Sequence, residues 1–246
     1  MCEELLQAGV RFLPWIGNQY ENGFINGHRF MILGESFYNY WDGGNHPIRN
    51  NFASLCIQEV IDRGDCANFW KTIEQALLNE KREDGFAPSG CKNLWNRLAF
   101  YNFVQREING GARIRPRLID FRDSYDAFRV VLNYLRPNRV WVCGHILWDT
   151  IQRIENVNIP HHCRIKAYHL DDGTQVWFLR TVHPSSGVFS WRREHPVIMS
   201  FLEDPQSPTR ILNLTGFRPR QPSHEKESQG QLQPRESGFD SRLEVF

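Results

Sequence analysis

The apolar run Arg29-Phe30-Met31-Ile32-Leu33 stops abruptly at Gly34-Glu35-Ser36. This is the pattern of a buried parallel strand that delivers a loop at its carboxyl end. Residues 51–61 and 69–78 place apolar positions at helical spacing, which predicts two helices. A turn-rich stretch, Glu83-Asp84-Gly85 through Ser89-Gly90, separates them from residues 94–105. After Ser124, the positions Ala127, Phe128, Val131, Leu132 and Leu135 form a helical stripe that ends before Pro137. A strand over 140–143 follows, Gly144 turns the chain, and 145–154 read as a helix with Ile146, Leu147 and Ile151 facing inward. Two more strands, 164–170 and 175–182, flank the turn signal Asp171-Asp172-Gly173. The second runs straight into His183-Pro184-Ser185-Ser186.

Strands alternating with helical stretches predict an α/β fold, a three-layer α/β/α arrangement around a central, mostly parallel four-stranded sheet. Ligands of such sheets gather outside the carboxyl ends of the strands, where Gly34 and His183 would both lie. With 246 residues, 41% of them hydrophobic, the chain can bury one substantial core. The expected domain covers 1–216. Beyond it, 217–246 is rich in Pro, Ser, Gln, Glu and Arg and too poor in apolar residues to offset the entropy of ordering, which predicts a disordered tail.

Charge narrows the choice of partner. The formal net charge is only +1, which excludes a whole-molecule basic field, so any phosphate contact must come from local patches. The six cysteines, Cys2, Cys56, Cys66, Cys91, Cys143 and Cys163, are scattered without zinc-like or iron–sulfur-like spacing and read as reduced thiols. Residues 1–13 resemble neither a signal peptide nor a membrane span. A soluble, cytoplasmic monomer with no metal is expected.

Four segments carry candidate chemistry: Gly34-Glu35-Ser36-Phe37-Tyr38-Asn39, Phe100-Tyr101-Asn102-Phe103, Val140-Trp141-Val142-Cys143-Gly144, and His183-Pro184-Ser185-Ser186 with the loop that continues to Arg193. Their order and spacing resemble the uracil-DNA glycosylase superfamily over about residues 14–203. The resemblance implies an enzyme that binds DNA, flips a damaged or modified pyrimidine-type base and hydrolyses its N-glycosidic bond without a cofactor. Base-excision repair and defence against phage with modified DNA both fit. No lysine lies beside the motifs to form a Schiff base.

Roles follow residue by residue. Cleavage passes through an oxocarbenium-like sugar, so positive charge on the sugar and negative charge on the departing base both need stabilising. The resemblance assigns His183 to the leaving base oxygen, although a histidine before Pro184 can equally be satisfied within its own turn. Asn102 offers the donor and acceptor pair that reads a base edge, and an asparagine there can also serve as a plain turn residue. Phe37 and Tyr38 would supply a stacking face and a pocket wall, or pack as core aromatics. The uracil-excising branch carries an aspartate where this chain has Ser36, so the water-activating carboxylate must come from Glu35, or Asn39 must orient a water without charge. Ser185 and Ser186 fall in the turn that enters the minor groove in this superfamily. Val188 and Phe189 are wedge candidates, with Arg192 and Arg193 as phosphate clamps. Arg113, Arg115, Arg117 and Arg122 form a further basic cluster that would track the DNA backbone or be solvated surface. Residues 13–20 read as a loop that can roof the site, with Trp15 as a packing anchor. A protein that keeps this fold and grips DNA or a nucleotide without cutting is the alternative, and a hydrolase of free nucleosides is a third.

Overall fold

A computed structural model describes residues 2–39, 48–63, 68–82, 90–109, 114–157 and 163–204. The predicted tail, the end of the predicted domain (205–216), the Glu83-to-Ser89 stretch and Arg113 lie outside those residues.

In chain order the strands are β1 (Trp15–Ile16), β2 (Phe30–Gly34), β3 (Tyr38–Asn39), β4 (Leu98–Asn102), β5 (Ile108–Asn109), β6 (Arg139–Cys143), β7 (Ile165–His169) and β8 (Gln175–Thr181). The helices are α1 (Cys2–Gln7), α2 (Phe52–Arg63), α3 (Asn68–Leu78), α4 (Cys91–Asn96), α5 (Leu118–Arg122), α6 (Tyr125–Leu135), α7 (His145–Ile154) and α8 (Trp191–Glu203). The main sheet has six strands in the order β1-β4-β2-β6-β8-β7, and β3 pairs with β5 in a separate small ladder. The four inner strands run parallel, while β1 and β7 add antiparallel edges. The expected four-stranded sheet is therefore the parallel centre of a wider one. Both added strands are edges, one of them only two residues long.

The sheet sorts its side chains by the two-residue period of a strand. Met31, Leu33, Ala99, Tyr101, Val140, Val142, Val176 and Phe178 face one core with residues of α1, α5, α6 and α7. Phe30, Ile32, Leu98, Phe100, Trp141, Cys143 and Leu179 face the other with residues of α2, α3, α4 and α8. Every residue of β2, β4 and β6 is buried, which explains why these strands read as continuous apolar runs. The predicted stripe of α6 is buried as expected. In α7 the inward face is Leu147, Trp148 and Ile151, whereas Ile146 is 45% exposed. Residues 13–20 do not roof anything: Trp15–Ile16 pairs along β4, and Tyr20 is buried with its hydroxyl donating to the Leu135 carbonyl. Trp15 is the expected anchor, its indole donating to the Trp95 carbonyl at 2.8 Å.

Beneath the sheet's α3 side, the fully buried Glu74 binds Arg82, Cys91 Sγ and Trp95 Nε1. This network ties α3 to α4 and so fixes the helix that carries Phe69. Cys56, Cys91, Cys143 and Cys163 form no disulfide among the described residues. No helix among the described residues is long and apolar enough to cross a membrane.

Candidate active site

Parallel pairing brings the motifs to one edge. Gly34 is level with Asn102, Leu33 with Val142, and Cys143 with Thr181. The carboxyl ends of β4, β2, β6 and β8 thus present Asn102, Gly34, Gly144 and His183 in that order across the sheet. Chain segments separated by more than a hundred residues share this row because a parallel sheet aligns all its strand exits.

Two close approaches hold the row together. A Cβ on Gly34 would meet Asn102 Oδ1 at 2.1 Å and Phe100 Cζ at 3.1 Å, so the Asn102 amide lies directly over the Gly34 backbone. Gly144 has φ +120°, a conformation that side chains rarely adopt, and the site of its missing Cβ lies 3.6 Å from His183 Cβ. Its N–H donates to the Thr181 carbonyl at 3.1 Å, which locks the start of α7 to the end of β8.

The first motif leaves β2 along a continued ladder. Phe103 N–H donates to Gly34 O at 3.0 Å, Val104 N–H to Glu35 O at 2.9 Å, and Ile108 N–H to Phe37 O at 3.1 Å. The Glu35 side chain is 6% exposed and meets Arg115 Nη1 at 3.4 Å. Burial pushes the Glu35 carboxyl above its ordinary range, and Arg115 and the Tyr38 hydroxyl oppose that shift. Ser36 Oγ is buried with no hydrogen-bond partner among the described residues. A hydroxyl cannot replace a carboxylate, but an unsatisfied one is a donor awaiting a partner.

Phe37 is drawn into the core, its ring edge-on to Phe12 at 5.6 Å and to Phe52 at 5.2 Å. Of its two expected roles, packing is the one it performs. Tyr38 is half-buried beside Glu35. The backbone of Asn39 pairs with Asn109 in the β3–β5 ladder; its side chain lies outside the described set.

His183 is half-buried, and its Nδ1 accepts the Ser185 N–H at 3.2 Å. That bond assigns the neutral tautomer, with the proton on Nε2 available as a donor. Burial, reinforced by the Arg115 charge, pushes the imidazole down to about 4, so it is neutral at pH 7. Both predicted options therefore hold: the ring is satisfied within its turn at one nitrogen and free to donate at the other. The Phe69 ring lies 5.3 Å from the imidazole at a 30° tilt and 5.9 Å from Phe100. Sequence reading missed Phe69, because an aromatic at helical spacing in α3 looks the same whether it faces the core or the strand ends.

Beyond His183 the loop is built to project one residue. Ser186 N–H donates to His183 O at 2.8 Å and Phe189 N–H to Ser186 O at 2.9 Å, while Ser185 is exposed. Val188 is 69% exposed, and Arg193 Nη2 grips its carbonyl at 2.9 Å. Phe189 is not a second wedge: it stacks on Trp141 at 6.5 Å and 24°, anchoring the loop to the core. Arg192 is exposed and lies over the Trp191 ring at 4.2 Å. Arg193 is accordingly a brace for the loop, and Arg192 is the outward cation.

The basic cluster also divides. Arg117 turns to buried Asp120 at 3.3 Å, as does Arg106 at 2.6 Å, while Arg122 is exposed. Arg115 points to Glu35, a role that nothing in the spacing of the cluster announced. Two open grooves of about 730 and 360 Å³ lie along α6, lined by Tyr125 and Arg129 among others, and share no residue with the strand-end row.

No protein-family model matches the chain, and no curated protein matches it by sequence.

Proposed function

We propose that the protein is a monofunctional DNA glycosylase that extrudes a damaged or modified pyrimidine-type base and hydrolyses its bond to the sugar, in repair or in defence against phage with modified DNA. The observation that carries this reading is the pairing of a buried Glu35 carboxyl with a neutral, Nε2-protonated His183 on one sheet edge that also presents the Asn102 amide.

The chemistry assigns each group one task. The C1′–N bond breaks and the base departs with the electron pair, while the His183 Nε2–H donates to the base oxygen on which negative charge grows. A neutral donor suits this step because it stabilises the anion without first having to lose a proton. Asn102 Oδ1 and Nδ2 match the donor and acceptor edge of a pyrimidine. The Glu35 carboxylate stabilises the cationic sugar and accepts the proton of the water whose oxygen bonds to C1′; positioned acid–base groups of this kind contribute roughly 10²–10⁴-fold. Val188, held out on a braced loop, fills the space the base vacates.

The test is incubation with duplex and single-stranded DNA carrying uracil, hypoxanthine, hydroxymethylcytosine or its glucosylated form, followed by alkaline cleavage of abasic sites. Strand scission on one substrate supports the reading and names the base. DNA binding with no scission on any of them favours the non-cutting binding protein, and release of base from free nucleosides with no need for Val188 favours a nucleoside hydrolase.

A further inference from the structure

Arg115 belongs to no motif, and an arginine in a run of arginines would ordinarily face solvent. Here its side chain is 59% exposed, yet its guanidinium reaches inward to the nearly buried Glu35 carboxylate at 3.4 Å. Its positive charge also acts on His183, the residue at the far strand of the same row. We propose that Arg115 is a positioning residue that couples Glu35 and His183 electrostatically, so that one cation sets the working state of both. The inference rests on the glycosylase reading for its purpose, but not for its test.

The physical requirement is simple. Burial alone drives a carboxyl and an imidazole toward their uncharged forms, which suits His183 as a neutral donor but defeats Glu35 as a base. A cation placed beside the carboxylate corrects the second without harming the first, because the same charge disfavours an imidazolium. Around Glu35 the described groups that interact with its charge are Arg115 and the Tyr38 hydroxyl. Around His183 they are Arg115 and the Ser185 N–H, with the uncharged Phe69 ring against its face. No second cation among these groups can substitute. Because Arg115 is largely exposed, removing its charge leaves the packed core untouched.

The decisive experiment follows the Glu35 carboxyl and the His183 ring by NMR as pH is varied, in the full-length protein without DNA, for wild type, Arg115→Gln and Arg115→Lys. Arg115→Gln is expected to raise both midpoints by roughly half to one pH unit, and Arg115→Lys to return both toward wild type. Midpoints that do not move in Arg115→Gln, or a Glu35 shift with no His183 shift, overturn the coupling. If the titrations move together but no substrate is ever cut, the coupling stands and the glycosylase reading fails; if bases are excised but the titrations are unmoved, the reverse holds.

Discussion

Adding a single methyl group at Gly34 tests the geometry of the base-reading edge. Its Cβ would stand 2.1 Å from Asn102 Oδ1, far inside the 3.4 Å at which ordinary contact begins, and 3.1 Å from Phe100 Cζ. The nearer clash is with a side chain, so Gly34→Ala can fold by turning the Asn102 amide away. Overpacking of this kind costs about 1–3 kcal/mol. Asn102→Ala removes the obstructing oxygen, so the double variant should regain on the order of 1–2 kcal/mol relative to the sum of the single costs. Urea unfolding of the four proteins, compared at equal slope, measures that coupling. Gly17→Ala is the contrast: its Cβ would lie 2.3 Å from the Asn96 backbone, which cannot rotate aside, and the loss should be larger. Strictly additive effects at Gly34 and Asn102 would refute the placement of the amide over the first motif. So would a Gly34→Ala protein with wild-type stability and wild-type excision.

Two further outcomes follow from the late loop and its histidine. The His183 imidazole lies at about 4 in the fold against an ordinary 6.5, so its contribution to stability is complete above pH 6.5 and is lost as pH falls through 4. The loss is on the order of 3 kcal/mol, and urea midpoints measured between pH 7 and 4 should fall less steeply in His183→Gln than in wild type. Val188→Ala should leave stability within about 0.5 kcal/mol yet slow excision from duplex DNA, whereas Phe189→Ala should cost about 1–3 kcal/mol because its ring rests on Trp141; thermal melting and excision assays on the two variants check this, and equal effects on stability would count against it.

The strands that form the parallel centre were legible where the apolar run was short and bounded by turn residues, as at Phe30–Gly34 and Arg139–Cys143. β4 was not, although it carries Asn102, because Leu94 through Val104 is nearly all apolar and its period cannot separate the end of α4 from the strand that follows. The two-residue β1 and β3 have too few positions to show alternation at all. Within the site, Glu35, Asn102 and His183 were visible because each sits at a strand exit, which topology gathers. Phe37 and Phe189 were read as surface-active for the same reason, but their rings found apolar partners contributed by distant segments, Phe12 and Phe52 in one case and Trp141 in the other. Arg115 and Phe69 could not be found at all, since their importance lies in neighbours brought by folding rather than in spacing.

The central claim is that Glu35 and His183 act on one extruded base. Single-turnover excision by Glu35→Gln and His183→Ala on the DNA that wild type cuts best, with affinity for the same DNA measured by fluorescence anisotropy, tests it most directly. Each substitution is predicted to slow excision by roughly 10²-fold or more while DNA affinity stays within a few-fold. Excision at the wild-type rate in either variant would contradict the account.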